Sequence, residues 1–148
     1  MPRKSALNED RFKNLDKFLR LNKKVDFITI NLLSSKALEG LNWKGILKQD
    51  QPEVLKQVKA YQRLARLLAE DNTRIIKQLL ERNLHSGVQI ASIPRQQFMK
   101  EFSKVFKDEE LMTTFYKRAV ATRSKVLLKY MNIVQSGQAH NKSVKAIS

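Results

Sequence analysis

Apolar side chains recur along this chain mainly at intervals of three and four, the spacing that gathers them on one face of an α-helix. The pattern is strongest after Gln51. Val54, Val58, Tyr61, Leu64, Ala65 and Leu68 fall on one wide arc, which Ala60 and Leu67 extend and Leu55 breaks from the basic side. An arc this wide belongs to a helix packed on more than one neighbour. Pro52 suits the first helical position, behind Asp50 or Gln51. Asp71-Asn72-Thr73 ends the helix and caps the next, whose buried face is Ile75, Ile76, Leu79 and Leu80.

His85-Ser86-Gly87 reads as a turn, and Ser86 with Gln89 has the spacing of a capping box for a short helix through Ile90. Pro94 opens another helix with Phe98, Phe102, Val105 and Phe106 inward. Asp108, Glu109 and Glu110 open the last and longest helix, expected to run to about Gln135. Acids at its start and Lys125 and Lys129 further on both suit the helix dipole. Its apolar face is Met112, Phe115, Tyr116, Ala119, Val120, Val126, Leu127, Tyr130, Met131 and Val134, and Gly137 is a natural stop.

Before Gln51 the pattern is less regular. Asn8 is suited to capping a first helix, with Glu9 and Asp10 in its first turn and Phe12, Leu15 and Leu19 as its apolar stripe. Val25–Leu33 is rich in β-branched residues and reads as a short strand or, lacking a partner strand, as an extended segment packed on helices. Ser34 or Ser35 caps a short helix holding Leu38 and Leu41, followed by Trp43 and a turn at Gly45. These elements add up to an all-α fold, a compact domain of five to seven helices over residues 8–135 with a long C-terminal helix. The Gln51–Ala69 and Asp108–Gln135 helices are its expected central pair. Residues 1–7 and 136–148 read as a flexible basic lead and tail.

Composition agrees with this. A chain of 148 residues can bury a real core, and only four glycines and three prolines favour helices. Without cysteine there is neither a disulfide nor a thiolate metal site. No run of about 18 apolar residues marks a membrane-spanning helix. The charged N-terminus does not resemble a Sec signal peptide, so the expected location is cytoplasmic, or outside by another export route. The net charge of +15 is spread out: residues 1–25 carry eight basic and three acidic side chains, residues 26–52 balance, and the rest of the chain holds the remainder. Such a chain attracts nucleic acid, anionic lipid or an acidic protein surface.

Candidate chemistry is sparse. The only histidines are His85 and His140, and no phosphate loop or metal-ligand spacing occurs. Catalytic residues, metals, cofactors and small-molecule substrates are therefore not expected. The Asp108-Glu109-Glu110 cluster reads as a helix start, and Trp43, Tyr61 and Tyr130 as core residues. The most ordered basic feature is Lys56, Lys59, Arg63 and Arg66, one narrow stripe on the Gln51 helix. It is the candidate surface for a partner or anion, set against the ordinary reading of a solvated face. Arg123 falls inside the apolar arc between Tyr116 and Tyr130. Buried there, it needs an ion pair, with Glu101 or Asp71 as candidates, or a carbonyl clamp. Alternatively its stem packs while its head reaches water.

The order of the blocks adds a further clue. Phe-Leu-Arg-Leu-Asn with Val-Asp-Phe-Ile-Thr-Ile-Asn (Phe18–Asn31), Trp-Lys-Gly-Ile-Leu (Trp43–Leu47) and the run Leu55–Leu67 are followed by Ile90–Phe98 and Tyr116–Tyr130. Together, and in this order, they resemble a helical module of the A-components of bacterial insecticidal toxin complexes (Tc toxins) and related toxin-associated proteins. The resemblance implies an α-helical unit without catalysis of its own, in a region that in Tc A-components belongs to the shell around a translocation channel. This chain is far shorter and more basic than such a shell. The expected role is a docking module of a bacterial toxin or secretion assembly that binds an acidic protein partner. The alternative is nucleic-acid binding through the basic stripe and N-terminus. Attachment to a membrane surface ranks last, because the apolar faces are needed for a core.

Overall fold

In the computed structural model the backbone is described for residues 11–147 and the side chains for residues 11–137. Among the described residues there are seven α-helices and no strand: α1 (Lys13–Leu21), α2 (Ser35–Glu39), α3 (Gln51–Leu68), α4 (Thr73–Glu81), α5 (Gly87–Ala91), α6 (Arg95–Phe106) and α7 (Glu109–Ile147). A 3₁₀ turn at Lys48–Asp50 leads into α3. The expected all-α architecture with a long C-terminal helix is thus present. The chain gathers into two compact units, one ending at Ser86 and the other beginning at Gly87. The expected central pair is accordingly divided: α3 organises the first unit and α7 the second. The proposed N-cap Asn8 and the basic lead lie outside the described residues.

The first unit is built on the broad face of α3. Val58, Leu64 and Ala65 are fully buried, and Val54, Tyr61 and Leu68 nearly so. Leu15 and Phe18 of α1 and Ile75, Ile76, Leu79 and Leu80 of α4 complete the core. α3 ends where Ala69 turns left-handed at φ +60, and Asn72 caps α4 by accepting from the Ile75 N–H at 3.2 Å. The Tyr61 hydroxyl donates to the Asp71 carboxylate and lies 2.8 Å from Thr73 Oγ1, so the α3–α4 corner is pinned by a residue of the core.

Val25–Leu33 is neither strand nor extended segment but a succession of turns. Asp26 Oδ1 accepts from the Ile28 N–H and Asn31 Oδ1 from the Leu33 N–H, each at 3.0 Å. Short acidic and amide side chains that capture the backbone two residues on impose turns, and here they override β-branched propensity. The turns place Phe27 and Leu32 in the core. Phe27 meets Phe18 at a ring distance of 5.9 Å, and Phe18 in turn meets Trp43 at 4.7 Å. Ser34 caps α2 as expected, with Oγ accepting from the Ala37 N–H at 3.3 Å. Gly45 takes a positive φ of 81°, and its carbonyl accepts from Lys17 Nζ at 3.1 Å.

The second unit is aromatic. Phe98, Phe102, Val105 and Phe106 of α6 point inward as expected, and Met112, Phe115, Tyr116 and Ala119 of α7 meet them. Phe98 is the hub: its ring lies 4.7 Å from Phe102 and 5.3 Å from Tyr116. The Tyr116 hydroxyl donates to the Ile93 carbonyl at 2.6 Å, tying the α5–α6 link to α7. The helix was expected to stop near Gln135, yet its backbone continues through Gly137 to Ile147. Glycine weakens a helix without forbidding it.

Asn22 holds the α1 end to the loop before α3. Buried at 5% exposure, its Nδ2 donates to the Phe18 and Asn42 carbonyls at 2.8 and 2.9 Å, and its Oδ1 accepts from the Asn42 N–H at 2.8 Å. Asn22→Ala strands the N–H and carbonyl of Asn42, each costing about 1–3 kcal/mol when buried without a partner, while the Phe18 carbonyl keeps the backbone N–H of residue 22. The expected outcome in urea unfolding is a loss of about 2 kcal/mol at unchanged denaturant slope; a loss under about 0.5 kcal/mol would show that water replaces the amide.

Candidate functional site

The basic stripe of α3 forms as spaced, but its members differ in what they do. Arg63 Nε donates to the His85 carbonyl at 3.0 Å, and Arg66 Nε to the Ile28 carbonyl at 2.8 Å. Both arginines therefore fasten non-helical backbone to α3. Lys56 and Lys59 form no hydrogen bond or ion pair among the described residues, and Lys56 is exposed while Lys59 is half-buried. Two neighbours that the stripe conceals work the same way as the arginines. Gln57 and Gln62 are buried at 7% and 8% exposure. Their Nε2 groups donate to the Arg11 carbonyl at 3.1 Å and to the Ile30 carbonyl at 2.6 Å. Sequence reading passed over both, although a glutamine inside an apolar arc is a visible sign of a buried donor seeking a carbonyl.

The second candidate surface lies on α7. Its apolar arc is continuous in sequence, but the core covers only the first part. Ala119 is fully buried, whereas Val120 is exposed. Val126 and Leu127 are each 49% exposed, Met131 50%, Ile133 64% and Tyr130 66%. Tyr116, Ala119, Arg123, Val126, Tyr130 and Ile133 follow one another at alternating steps of three and four, the spacing of a helix–helix seam. The expected burial of Val126, Leu127, Tyr130 and Met131 is thus corrected: the helix outruns the elements that cover its start.

Arg123 is corrected with them. It stands exposed and makes no ion pair or carbonyl bond among the described residues, so neither Glu101 nor Asp71 is its partner. Asp71 instead accepts from Tyr61. Burial was the only reason to require a partner, and Arg123 is not buried.

Charge on α7 is one-sided. No acidic side chain follows Glu110, whereas Lys117, Arg118, Arg123, Lys125 and Lys129 all lie on the helix beyond it. At 100° per residue Arg118, Lys125 and Lys129 form one strip along an edge of the exposed arc, with Lys117 on the other side and Arg123 within it. The sequence already held this signal in the absence of any acid over the last quarter of the chain.

Other groups take structural roles. Asp108 Oδ1 accepts from the Leu111 N–H at 3.1 Å, so the acidic cluster opens α7 as a cap. Burial first, and then its bond to Asp71, raise the Tyr61 pKa far above that of an ordinary tyrosine. Trp43 is half-buried against Phe18, and only Tyr130 of the three candidate stacking rings is exposed. Among the described residues no group of three or more His, Asp or Glu side chains could hold a metal ion, and no helix is long and apolar enough to cross a membrane. Compared with family models, curated proteins and solved structures, the chain finds no match.

The divided stripe makes a direct prediction for stability. Arg66→Ala leaves the Ile28 carbonyl without its charged donor and is expected to cost about 1–2 kcal/mol. Lys59→Ala, about two turns away without a bond, is expected to stay within about 0.5 kcal/mol of wild type. Thermal melts of the two variants check this difference.

Proposed function

We propose that this chain is a non-enzymatic docking module of a bacterial toxin or secretion assembly, and that the second half of α7 receives an acidic amphipathic helix of a partner protein. The observation that carries the reading is the exposed apolar arc from Val120 to Ile133, whose only charged neighbours on that stretch of helix are basic. An apolar face on an existing helix offers anchors without an ordering cost, and helix-in-groove or helix-on-helix docking uses anchors at this spacing. The charge selects the occupant. A second copy would bring Lys125, Lys129 and Arg123 against the same cations, because residues 111–148 contain no carboxylate to meet them. A partner helix with leucines at the seam and glutamates beside them meets both needs. The association with a toxin assembly is drawn from the ordered sequence blocks that resemble Tc A-components.

The test is binding of the full chain to a labelled helical peptide with leucines at alternating three- and four-residue steps and glutamates elsewhere. Saturable binding is expected, weakening as salt rises because exposed charges are screened over about 8–10 Å. Replacing both Leu127 and Tyr130 by Glu should weaken it at least about tenfold, or 1.4 kcal/mol. The same chain is titrated with mixed-sequence DNA and with anionic vesicles. No binding to the peptide, alongside a steeply salt-dependent DNA shift, would replace this reading by nucleic-acid binding; sedimentation with vesicles alone would replace it by membrane attachment.

A further inference from the structure

Within the first unit lies a cavity of about 290 Å³ between the chain entering α1, the exposed side of α3 and the turn after α4. Its floor is apolar, made by Phe12, Ala60 and Leu80. Its rim holds Arg11, Lys56, Arg63 and His85, with Glu53 as the one carboxylate. We infer that this cavity binds a phosphate monoester with a small apolar body, the phosphate on the cationic rim and the body on the floor.

Three observations carry the inference. Two of the rim cations, Arg11 and Arg63, are fixed and do not trail in solvent. The Arg11 guanidinium donates to Asn83 Oδ1 at 2.9 Å and to the Leu80 carbonyl at 3.2 Å, and it lies 4.5 Å above the Phe12 ring. Its own carbonyl is held by buried Gln57. Arg63 is anchored through Nε to the His85 carbonyl. This leaves its two terminal NH₂ groups as donors, since a guanidinium has five N–H bonds. Fixed donors bind an anion without the ordering cost of mobile ones.

The rim is also short of negative charge. Glu53 forms no ion pair among the described residues, so one carboxylate faces three permanent cations, and a dianion comes closer to balancing them than a carboxylate does. Guanidinium groups favour phosphate because its oxygens accept paired N–H donors. His85 records the imbalance. Its pKa lies below the ordinary value through partial burial first, and then through repulsion from Arg11, Arg63 and Lys56. The field of all three cations therefore meets at one imidazole.

Size sets the ligand class. Ligand pockets commonly span about 300–1,000 Å³, so this one sits at the small end. It suits a phosphate on one ring or a short aliphatic stem, and not a nucleoside triphosphate.

The experiment follows His85 by proton NMR in the full-length protein while inorganic phosphate or phenyl phosphate is added at constant chloride ionic strength. Saturable shifts of His85 are expected, with its pKa moving up, and phenyl phosphate binding at least about tenfold tighter than inorganic phosphate, 1.4 kcal/mol. Lys56→Ala should weaken both ligands several-fold at unchanged melting temperature. Lys59→Ala, on the same stripe but outside the cavity, should leave both unchanged. Shifts that do not saturate by millimolar ligand, or that respond equally to the two lysine substitutions, would overturn the site. Equal affinity for the two phosphates would overturn the role of the apolar floor. The docking helix α7 takes no part in this measurement, so the inference stands or falls apart from the docking proposal.

Discussion

One helix supplies the donors that the irregular backbone of the first unit requires. Buried or half-buried carbonyls outside regular structure need partners, and leaving one without costs as much as several favourable contacts return. α3 answers this with two glutamines at part-buried carbonyls and adds two arginines at exposed ones. Gln57 holds the carbonyl of Arg11, Gln62 that of Ile30, Arg63 that of His85 and Arg66 that of Ile28. The chain entering α1 and two segments that form no helix are thereby held to the helix whose other side is covered by core. The apolar arc of α3 buries surface and so drives collapse, but it is non-directional. The amide and guanidinium groups are directional, and they settle where the turns of 26–33 and the end of α4 come to rest.

That division of labour changes the meaning of the net charge. A stripe of four cations on a helix looks like a binding face, and two of the four are structural fasteners. Partial burial first, and then the charge of Arg11, Arg63 and Lys56, makes His85 harder to protonate than a free histidine. Because the native pKa is the lower one, the unfolded chain binds the extra proton. This contribution to stability is therefore complete above the ordinary histidine pKa and is lost as pH falls towards the folded value. On α7, Arg123, Lys125 and Lys129 fasten no backbone among the described residues. The same residue types serve architecture in one unit and stay exposed in the other.

Much of the fold could be read from the sequence, and the failures have physical causes. Helix periodicity located α3, α4, α6 and α7 because their apolar residues obey the helical repeat and their ends carry local signals: Pro52 in the first turn of α3, Asn72 before α4, Pro94 before α6 and Asp108 before α7. Val25–Leu33 misleads because its β-branched residues suggest extended chain while the Asx turns of Asp26 and Asn31 decide its path. Burial along α7 was misread for a different reason. Periodicity says which residues share a face, but not how far a neighbour extends along it, so Phe115 and Tyr130 look alike in sequence and end up buried and exposed. Arg63 and Arg66 were noticed for their charge. Their fastening role depends on carbonyls distant in sequence, and no local pattern announces those.

In the proposed docking, Arg123 is where the exposed face of α7 would become selective. It occupies a seam position between Ala119 and Val126, where an apolar residue would make the helix a ready partner for any amphipathic helix, including its own copy. A guanidinium at that position pays a desolvation cost on docking unless a carboxylate meets it, so it penalises neutral and basic partners more than acidic ones. In the proposed docking, Arg123 therefore contributes discrimination more than affinity. Arg123→Leu is expected to raise affinity for a neutral amphipathic peptide by about tenfold, the change expected for about 1.4 kcal/mol, while changing affinity for the glutamate-flanked peptide far less. Sedimentation should then also reveal stronger self-association than in the wild-type chain. If the substitution weakens both peptides equally, Arg123 serves as an ordinary anchor, and selectivity lies with the strip of Arg118, Lys125 and Lys129 alone.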